Sequence, residues 1–426
     1  MFNKNKNIYL DYASATPLNK EVSNLMSYLQ RDLYANASAI HREGVKARKV
    51  IDDSRTFIAK SIFAHSDEII FTGSGTESDA LAILGTITNY ARPDDSVGRE
   101  LLITNENTKK ILPHIVTTAI EHPAVLENCR TLEKEGRAEV TYIKCDANGI
   151  INPKDIKSAL KENTILVSVM YANNEIGTIQ PITEIAKEIR HFRKGKDKST
   201  PGMDLYPLFH TDACQAMNYL PTENVEKLGV DLLSFNSSKI YGPKGVGILY
   251  KKRGVTLAPM YTGGGQESGL RSGTENTVAI AGASFALGQI LKIKEKENER
   301  LIKIRDYGIE KLLELSESSG YEIKLNGDRI NRLPNNINIS ISGISSELLV
   351  IELDARGVFV SSKSACKADE PDESYVITSL REVQGVNTKS TEGSLRITLG
   401  RGTTKQDMST LVTNLKQILS TYKKWK

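Results

Sequence analysis

Glu68-Ile69-Ile70-Phe71-Thr72-Gly73-Ser74-Gly75-Thr76-Glu77-Ser78-Asp79 is the stretch that decides the fold. Residues 68–72 form a short apolar run that reads as a strand. A glycine-rich turn follows, and a helical pattern takes over at residues 77–90. The same unit recurs downstream. A strand at 114–120 precedes a helix from 123 to about 135. Strand 140–145 precedes helix 153–161, and strand 165–171 precedes helix 181–193. Residues 205–210, 232–235 and 246–250 add further strands. Short apolar strands alternating with helices predict an α/β fold with a mostly parallel sheet covered on both faces. The polar stretches 92–110 and 194–204 read as surface loops.

Beyond residue 280 the texture changes. Residues 281–319 form a long helical pattern rich in Lys, Glu, Ile and Leu that stops at Gly320. Strands follow at 321–325, 336–340, 358–361 and 395–399, with helices at 347–356 and 405–422. This is a second, smaller α/β unit. The length of 426 residues agrees with two or three domains at about 150 residues each.

Composition narrows the function. Hydrophobic residues make up 39% and charged residues 25%, as in soluble globular proteins. A net charge of +4 is too weak to imply direct nucleic-acid binding. No apolar run approaches the ~18 residues of a membrane span, and residues 1–7 lack the apolar core of a secretory signal. Four cysteines without CxxC pairing fit neither a disulfide framework nor a zinc knuckle. The expected location is a reducing cytoplasm.

In an open parallel sheet, ligands sit beyond the carboxyl ends of the strands. Ser74 and Glu77 have capping-box spacing, and the free amides there suit an ordinary capped helix or a bound phosphate. His122 precedes Pro123 at a strand-to-helix corner, as a capping residue or a ligand contact. Asn173 and Asn174 form a turn or a pair of ligand-binding amides. Asp212 is a helix cap or a site acid. Lys239 lies just past a buried strand, where partial desolvation would make it a nucleophile and base, although most lysines are merely solvated. A phosphate-binding helix start, an aspartate for a pyridinium nitrogen and a lysine for covalent attachment are the parts pyridoxal phosphate requires. Cys366 lies in a hydrophilic stretch where Lys363 and Lys367 favour a thiolate and nearby carboxylates oppose it. Arg396, in a β-like strand, makes an edge salt bridge or clamps a substrate carboxylate. The loop from Gly263 to Asn276 lacks the strand–turn–helix order of a dinucleotide site.

One ordered set of motifs spans nearly the whole chain. It begins at Tyr9-Leu10-Asp11-Tyr12-Ala13-Ser14-Ala15-Thr16-Pro17 and Ala37-Ser38-Ala39-Ile40-His41. It continues through Thr76-Glu77-Ser78-Asp79, Glu121-His122, Asn173-Asn174-Glu175-Ile176-Gly177 and Asp212-Ala213-Cys214-Gln215. Lys239-Ile240-Tyr241-Gly242-Pro243-Lys244-Gly245 and Arg271-Ser272-Gly273-Thr274 come next. Ser361-Ser362-Lys363-Ser364-Ala365-Cys366 and Arg396-Ile397-Thr398-Leu399-Gly400-Arg401 complete it. The set resembles the cysteine desulfurases, class V members of the pyridoxal-phosphate-dependent aminotransferase superfamily.

The resemblance implies an aminotransferase-like fold of type I. Residues 17–290 would form the large cofactor-binding domain, and residues 1–16 and 291–426 a small domain carrying the cysteine loop. Lys239 would hold the cofactor covalently and later move the substrate α-proton. Asp212 would pair with the ring nitrogen and Gln215 with the ring hydroxyl. His122 would stack on the ring and assist proton transfer. Gly75, Thr76 and Asn236, Ser237 and Ser238 would hold the phosphate. Thr274 would reach the phosphate of the neighbouring subunit in a homodimer. Asn173 would contact cofactor and substrate, Arg396 would hold the carboxylate of L-cysteine, and Cys366 would take the sulfur. The products would be L-alanine and a protein persulfide for an acceptor such as an iron–sulfur scaffold or a tRNA-thiolation protein.

The chain departs from the pattern at Ser238, where histidine is usual, at Asn236 in place of serine, and at Lys363 in place of glycine. Three alternatives share the fold: selenocysteine cleavage, another class V reaction, and a catalytically silent sulfur-transfer subunit. Cys366 argues against simple transamination, which needs no thiol.

Overall fold

Residues 7–91, 111–196, 205–362, 374–385 and 392–423 are described by the computed structural model. Strand β1 (Ile8–Tyr9) and helices α1 (Lys20–Asp32) and α2 (Arg42–Ser61) come before β2 (Ile69–Thr72) and α3 (Gly75–Tyr90). Then follow β3 (His114–Thr118), α4 (Pro123–Lys134), β4 (Glu139–Ile143), α5 (Pro153–Ala159), β5 (Thr164–Ser168) and α6 (Ile182–Gly195). Strand β6 (Leu208–Asp212), α7 (Val225–Leu228), β7 (Leu232–Asn236), β8 (Gly247–Lys251) and the long α8 (Thr277–Ser319) continue the chain. The last elements are β9 (Ile323–Leu325), β10 (Asn336–Ser342), α9 (Ser346–Asp354), β11 (Val358–Phe359), α10 (Tyr375–Gln384), β12 (Glu392–Thr398) and α11 (Lys405–Lys423).

Seven strands form one sheet in the order β2-β8-β7-β6-β5-β3-β4. Strand β8 is antiparallel to both neighbours, and the remaining pairs are parallel. The mostly parallel sheet expected from the sequence is therefore present, with β8 as its exception. Two reversals return β2 to the direction of β7. The carboxyl ends of β2, β3, β5, β6 and β7 consequently share one edge, and that edge carries the site. Strands β3, β5 and β6 are buried along their whole length, as expected of central strands covered on both faces.

A three-stranded antiparallel sheet, β12-β10-β9, and the parallel pair β1-β11 make the second layer. A bridge between Asp11 and Thr398 ties the chain after β1 to β12. One continuous core runs from Val167, Phe209 and Phe235 in the large sheet through Leu287 and Leu312 of α8. It ends at Ile337, Ile397 and Leu415 in the smaller unit. The expected boundary at residue 290 falls inside α8, whose 43 residues belong to both layers.

Several elements depart from the sequence reading. Helix α3 starts at Gly75, because Ser74 caps it: its Oγ accepts the Glu77 amide at 3.1 Å. The Glu77 carboxylate accepts from the Gly73 amide at 2.6 Å, so the capping box is displaced by one residue. Strand β6 extends to Asp212, which pairs with Ser234 on β7. Strand β1 and helices α1, α2 and α10 had no counterpart in the reading. One window of α8 passes the length and apolarity test for a membrane span, contrary to expectation, and 67% of that window is buried inside the fold. A helix apolar on all sides is what a core demands. Residues 92–110 and 197–204 lie outside the described residues.

Candidate active site

A cavity of about 140 Å³ opens at the shared strand edge, between the tips of the large sheet, residues 13–14 and β12. Gly75 and Thr76, at the start of α3, line it. A Cβ at Gly75 would stand 2.7 Å from Asn236 Nδ2 and 2.8 Å from Cys214 Sγ, so only glycine fits this approach.

His122 caps α4: its Nδ1 accepts from the Ala124 amide at 3.1 Å, and Pro123 follows in the first turn. Burial holds its pKa below the usual histidine value. With Nδ1 accepting, the neutral ring carries its proton on Nε2.

Asp212 is the last residue of β6 and not a helix cap. Its Oδ1 accepts from the Cys214 amide at 2.8 Å. Gln215 Nε2 donates to Ala13 O at 3.0 Å. Asn236 Oδ1 accepts from the Lys239 amide and from Ser238 Oγ, both at 3.2 Å, and so shapes the short turn that presents Lys239. Lys239 Nζ donates to Ala13 O at 2.7 Å and to Ser14 O. Arg396 is 1% exposed. It donates to Asp11 Oδ1 at 2.9 Å, Ser14 Oγ at 2.6 Å and Asn174 O at 3.2 Å, while its Nε has no hydrogen-bond partner. Arg396 thus both makes the ion pair with Asp11 and lines the cavity.

Three expected residues stand elsewhere. The Asn173 amide is engaged within its own turn: Nδ2 donates to Ile120 O at 2.8 Å, and Oδ1 accepts from the Glu175 and Ile176 amides at 2.8 and 2.9 Å. This is the side-chain turn expected of asparagine at a strand tip. Asn174 lines the cavity in its place, with Oδ1 buried and lacking a hydrogen-bond partner. Ser237 Oγ is buried against Gly242 and does not line the cavity. Thr274 lines a separate cavity of about 190 Å³ with Gly73, Arg271 and Glu275.

Cys366 lies outside the described residues. The described chain stops at Ser362, whose carbonyl accepts from Ser394 Oγ at 3.0 Å. The preceding Ser361 exchanges two backbone hydrogen bonds with Arg396. The chain resumes at Ser374, whose hydroxyl donates to Glu175, and Tyr375, whose hydroxyl donates to Glu121 O.

Sequence reasoning did not single out Ala13, Ser14, Asp79, Met170 and Cys214 as cavity residues. Asp79 follows Thr76 by three residues, which places both on one face of α3. Ala13 and Ser14 belong to the opening motif at residues 9–17 but carry no chemical signal of their own.

Comparison with known proteins agrees with this geometry. The aminotransferase class-V family model matches residues 8–411. A cysteine desulfurase IscS of Dictyoglomus turgidum is 42% identical, covering 97% of this chain and 95% of its own. One of Methanosarcina thermophila is 36% identical, covering 98% and 93%. Among solved structures, a NifS-like protein superposes with a TM-score of 0.82 at 29% identity, covering 97% of this chain and all of its own. SspA in complex with cysteine gives 0.73 at 31% identity, covering 92% and 98%. On its motifs, its fold and these relatives, the chain belongs to the cysteine desulfurase family of the class-V aminotransferases.

Proposed function

We propose that this chain is a pyridoxal-phosphate-dependent cysteine desulfurase that converts L-cysteine to L-alanine and leaves the sulfur as a persulfide on Cys366. The observation that carries the reading is the meeting of the Lys239 amine, the Asp212 carboxylate, His122 and Arg396 around one cavity with a helix start at its rim. The residues present fit the cofactor. The Gly75 and Thr76 amides suit a phosphate, and the buried polar atoms Arg396 Nε and Asn174 Oδ1 lack protein partners. Pyridoxal phosphate, when bound, supplies an electron sink for charge developing at the substrate α-carbon.

The protein groups do the rest. Lys239 holds the cofactor and carries the α-proton, which requires its amine to leave the Ala13 and Ser14 carbonyls. Asp212 would pair with the ring nitrogen and Gln215 with the ring hydroxyl. His122, neutral at the cavity wall, can give or take a proton. Ser238 and Asn236, with the helix start, would hold the phosphate. Arg396 clamps the substrate carboxylate through a fork of donors. Cys366 is four residues from Ser362, so at most about 14 Å of extended chain separates them. As a thiolate it forms the new S–S bond while the substrate C–S bond breaks.

The sulfur then passes to an acceptor protein, of the iron–sulfur scaffold or tRNA-thiolation kind, in a reducing cytoplasm. Thr274, in its separate cavity, serves the second subunit of a homodimer. Light scattering of the purified protein tests that assembly.

The decisive experiment is incubation with labelled L-cysteine followed by mass mapping. Label on Cys366, with stoichiometric alanine, is the expected result. Cys366→Ser retains the bound cofactor and loses sulfide release. Wild-type rates in that variant would assign the sulfur to another nucleophile.

A further inference from the structure

Behind the cavity lies a buried polar chain that the reaction as described does not use. Asp79, on α3, is 1% exposed and borders the same cavity as Asp212. Its Oδ1 has no hydrogen-bond partner and stands 3.6 Å from His210 Nε2. His210 Nδ1 is 2.9 Å from Ser168 Oγ and its Nε2 is 2.9 Å from Ser234 Oγ. His210 and Asp212 are two apart on β6, so their side chains share a sheet face. Burial pushes the His210 pKa down to about 4, so its contact with Asp79 is no ion pair.

Two carboxyls on one buried floor do not both ionise readily. Asp212 has what an anion needs, namely a backbone N–H donor on Oδ1 and an opening to the cavity. Asp79 has neither. Burial, then the Asp212 charge, push its carboxyl well above the usual range. Ser234 from β7 opposes that shift, and Glu121, beyond β3, adds to it. Cys214, whose thiol burial keeps protonated, is a further titratable neighbour, and Lys239 and His122 line the same cavity.

We propose that Asp79 is a positioning residue for Asp212: held as the neutral acid at the end of the Ser168–His210–Ser234 chain, it leaves the single negative charge of the pocket floor on Asp212. The inference rests on the cofactor reading above and extends it to the residue behind the ring-nitrogen partner.

Two variants test it. Asp79→Asn keeps the shape and the neutrality. It is expected to bind pyridoxal phosphate within about threefold of wild type and to keep the pH midpoint of the bound absorption band. Asp79→Ala is expected to weaken binding roughly tenfold and to move that midpoint by about one unit. A third arm uses cofactor-free protein. A carboxyl with a folded pKa above its ordinary 3.8 takes up a proton on folding, so wild-type stability falls as pH rises above that value. Asp79→Asn has no such proton. Its melting temperature should exceed that of wild type by a margin that widens from about pH 5 to about pH 8.

A margin independent of pH, an Asp79→Asn protein as impaired as Asp79→Ala, or an Asp79→Ala protein like wild type would each overturn the proposal while wild-type binding stays intact. Failure of wild type itself to bind pyridoxal phosphate would overturn the cofactor reading, and this inference with it.

Discussion

The cavity has two walls of different construction. Its floor is made of the carboxyl ends of parallel strands: the Gly73–Thr76 turn after β2, His122 after β3, Asp212 on β6 and the Lys239 turn after β7. Its roof is a seam between the N-terminal segment and β12, where Arg396 meets Asp11 and Ser14 across sequence separations of 385 and 382. The floor follows from local order, since each strand delivers its next few residues to one edge. The seam exists only after the two ends of the chain have found each other. One wall therefore depends on single side chains and the other on assembly.

Lys239→Ala separates the two most sharply. It should abolish reducible covalent attachment of pyridoxal phosphate while leaving thermal stability nearly unchanged. The amine donates to the Ala13 and Ser14 carbonyls at the cavity wall, where water can take its place. Borohydride reduction followed by mass measurement is the check, and undiminished attachment would exclude this lysine. Arg396→Ala should act on both function and fold. Loss of a charge-assisted carboxylate pair raises KM for cysteine by the equivalent of roughly 2–5 kcal/mol. The same change leaves Asp11 without its ion-pair partner and removes three hydrogen bonds from a buried seam, so urea unfolding should show a parallel loss. An Arg396→Ala protein with altered KM and wild-type stability would mean the seam is held elsewhere.

That contrast also explains what was legible in the sequence. Strand and helix types in the large sheet follow from apolar runs and turn residues, and the floor residues follow from the rule that ligands sit beyond strand ends. Asp212 was misplaced by two residues because the ladder continues through Thr211 and Asp212 to pair with Ser234, although aspartate disfavours strands. Asn173 and Asn174 are equivalent as letters. Only the turn geometry decides that Asn173 satisfies the backbone and Asn174 faces the cavity. Helix α2 buries a narrow stripe that includes Ala47, Ile51 and Ile58 among many charged residues, and α1 buries only Val22, which hides their period. The motif at residues 9–17 contains Ala13 and Ser14 but gives neither a chemical role. Their role comes from β1 pairing in parallel with β11, a contact between chain ends.

Glu121 stands beside the floor, one residue before His122. Its carboxylate accepts from Thr118 Oγ1 at 2.8 Å and the Met170 amide at 2.9 Å, and burial pushes its pKa up from 4.5 to about 8. A pKa raised on folding means that the stability this group contributes is complete below its unfolded value, near 4.5, and is lost as pH rises through about 8. Glu121→Gln removes that dependence. The variant should be more stable than wild type at about pH 8 by on the order of 2 kcal/mol, with the difference shrinking toward about pH 5. Urea midpoints measured across this range give the answer, and a difference that does not change with pH would mean the carboxyl is not protonated on folding.

The smallest effect should come from Tyr375→Phe, which removes only a hydroxyl. That hydroxyl donates to Glu121 O, one residue before His122, and Tyr375 itself lies just beyond the Cys366-bearing stretch. A single hydrogen bond is worth about 0.5–1.5 kcal/mol net, and the carbonyl left behind is buried. The ring keeps its packing, so the fold should lose about that much and no more. The informative comparison is with Arg396→Ala. If the Tyr375 contact and the Arg396 seam act only through assembly, their stability losses add and Tyr375→Phe leaves kcat and KM unchanged. If Tyr375 also sets the backbone that presents His122, kcat falls while KM holds, and α10 then reaches into the floor through one carbonyl.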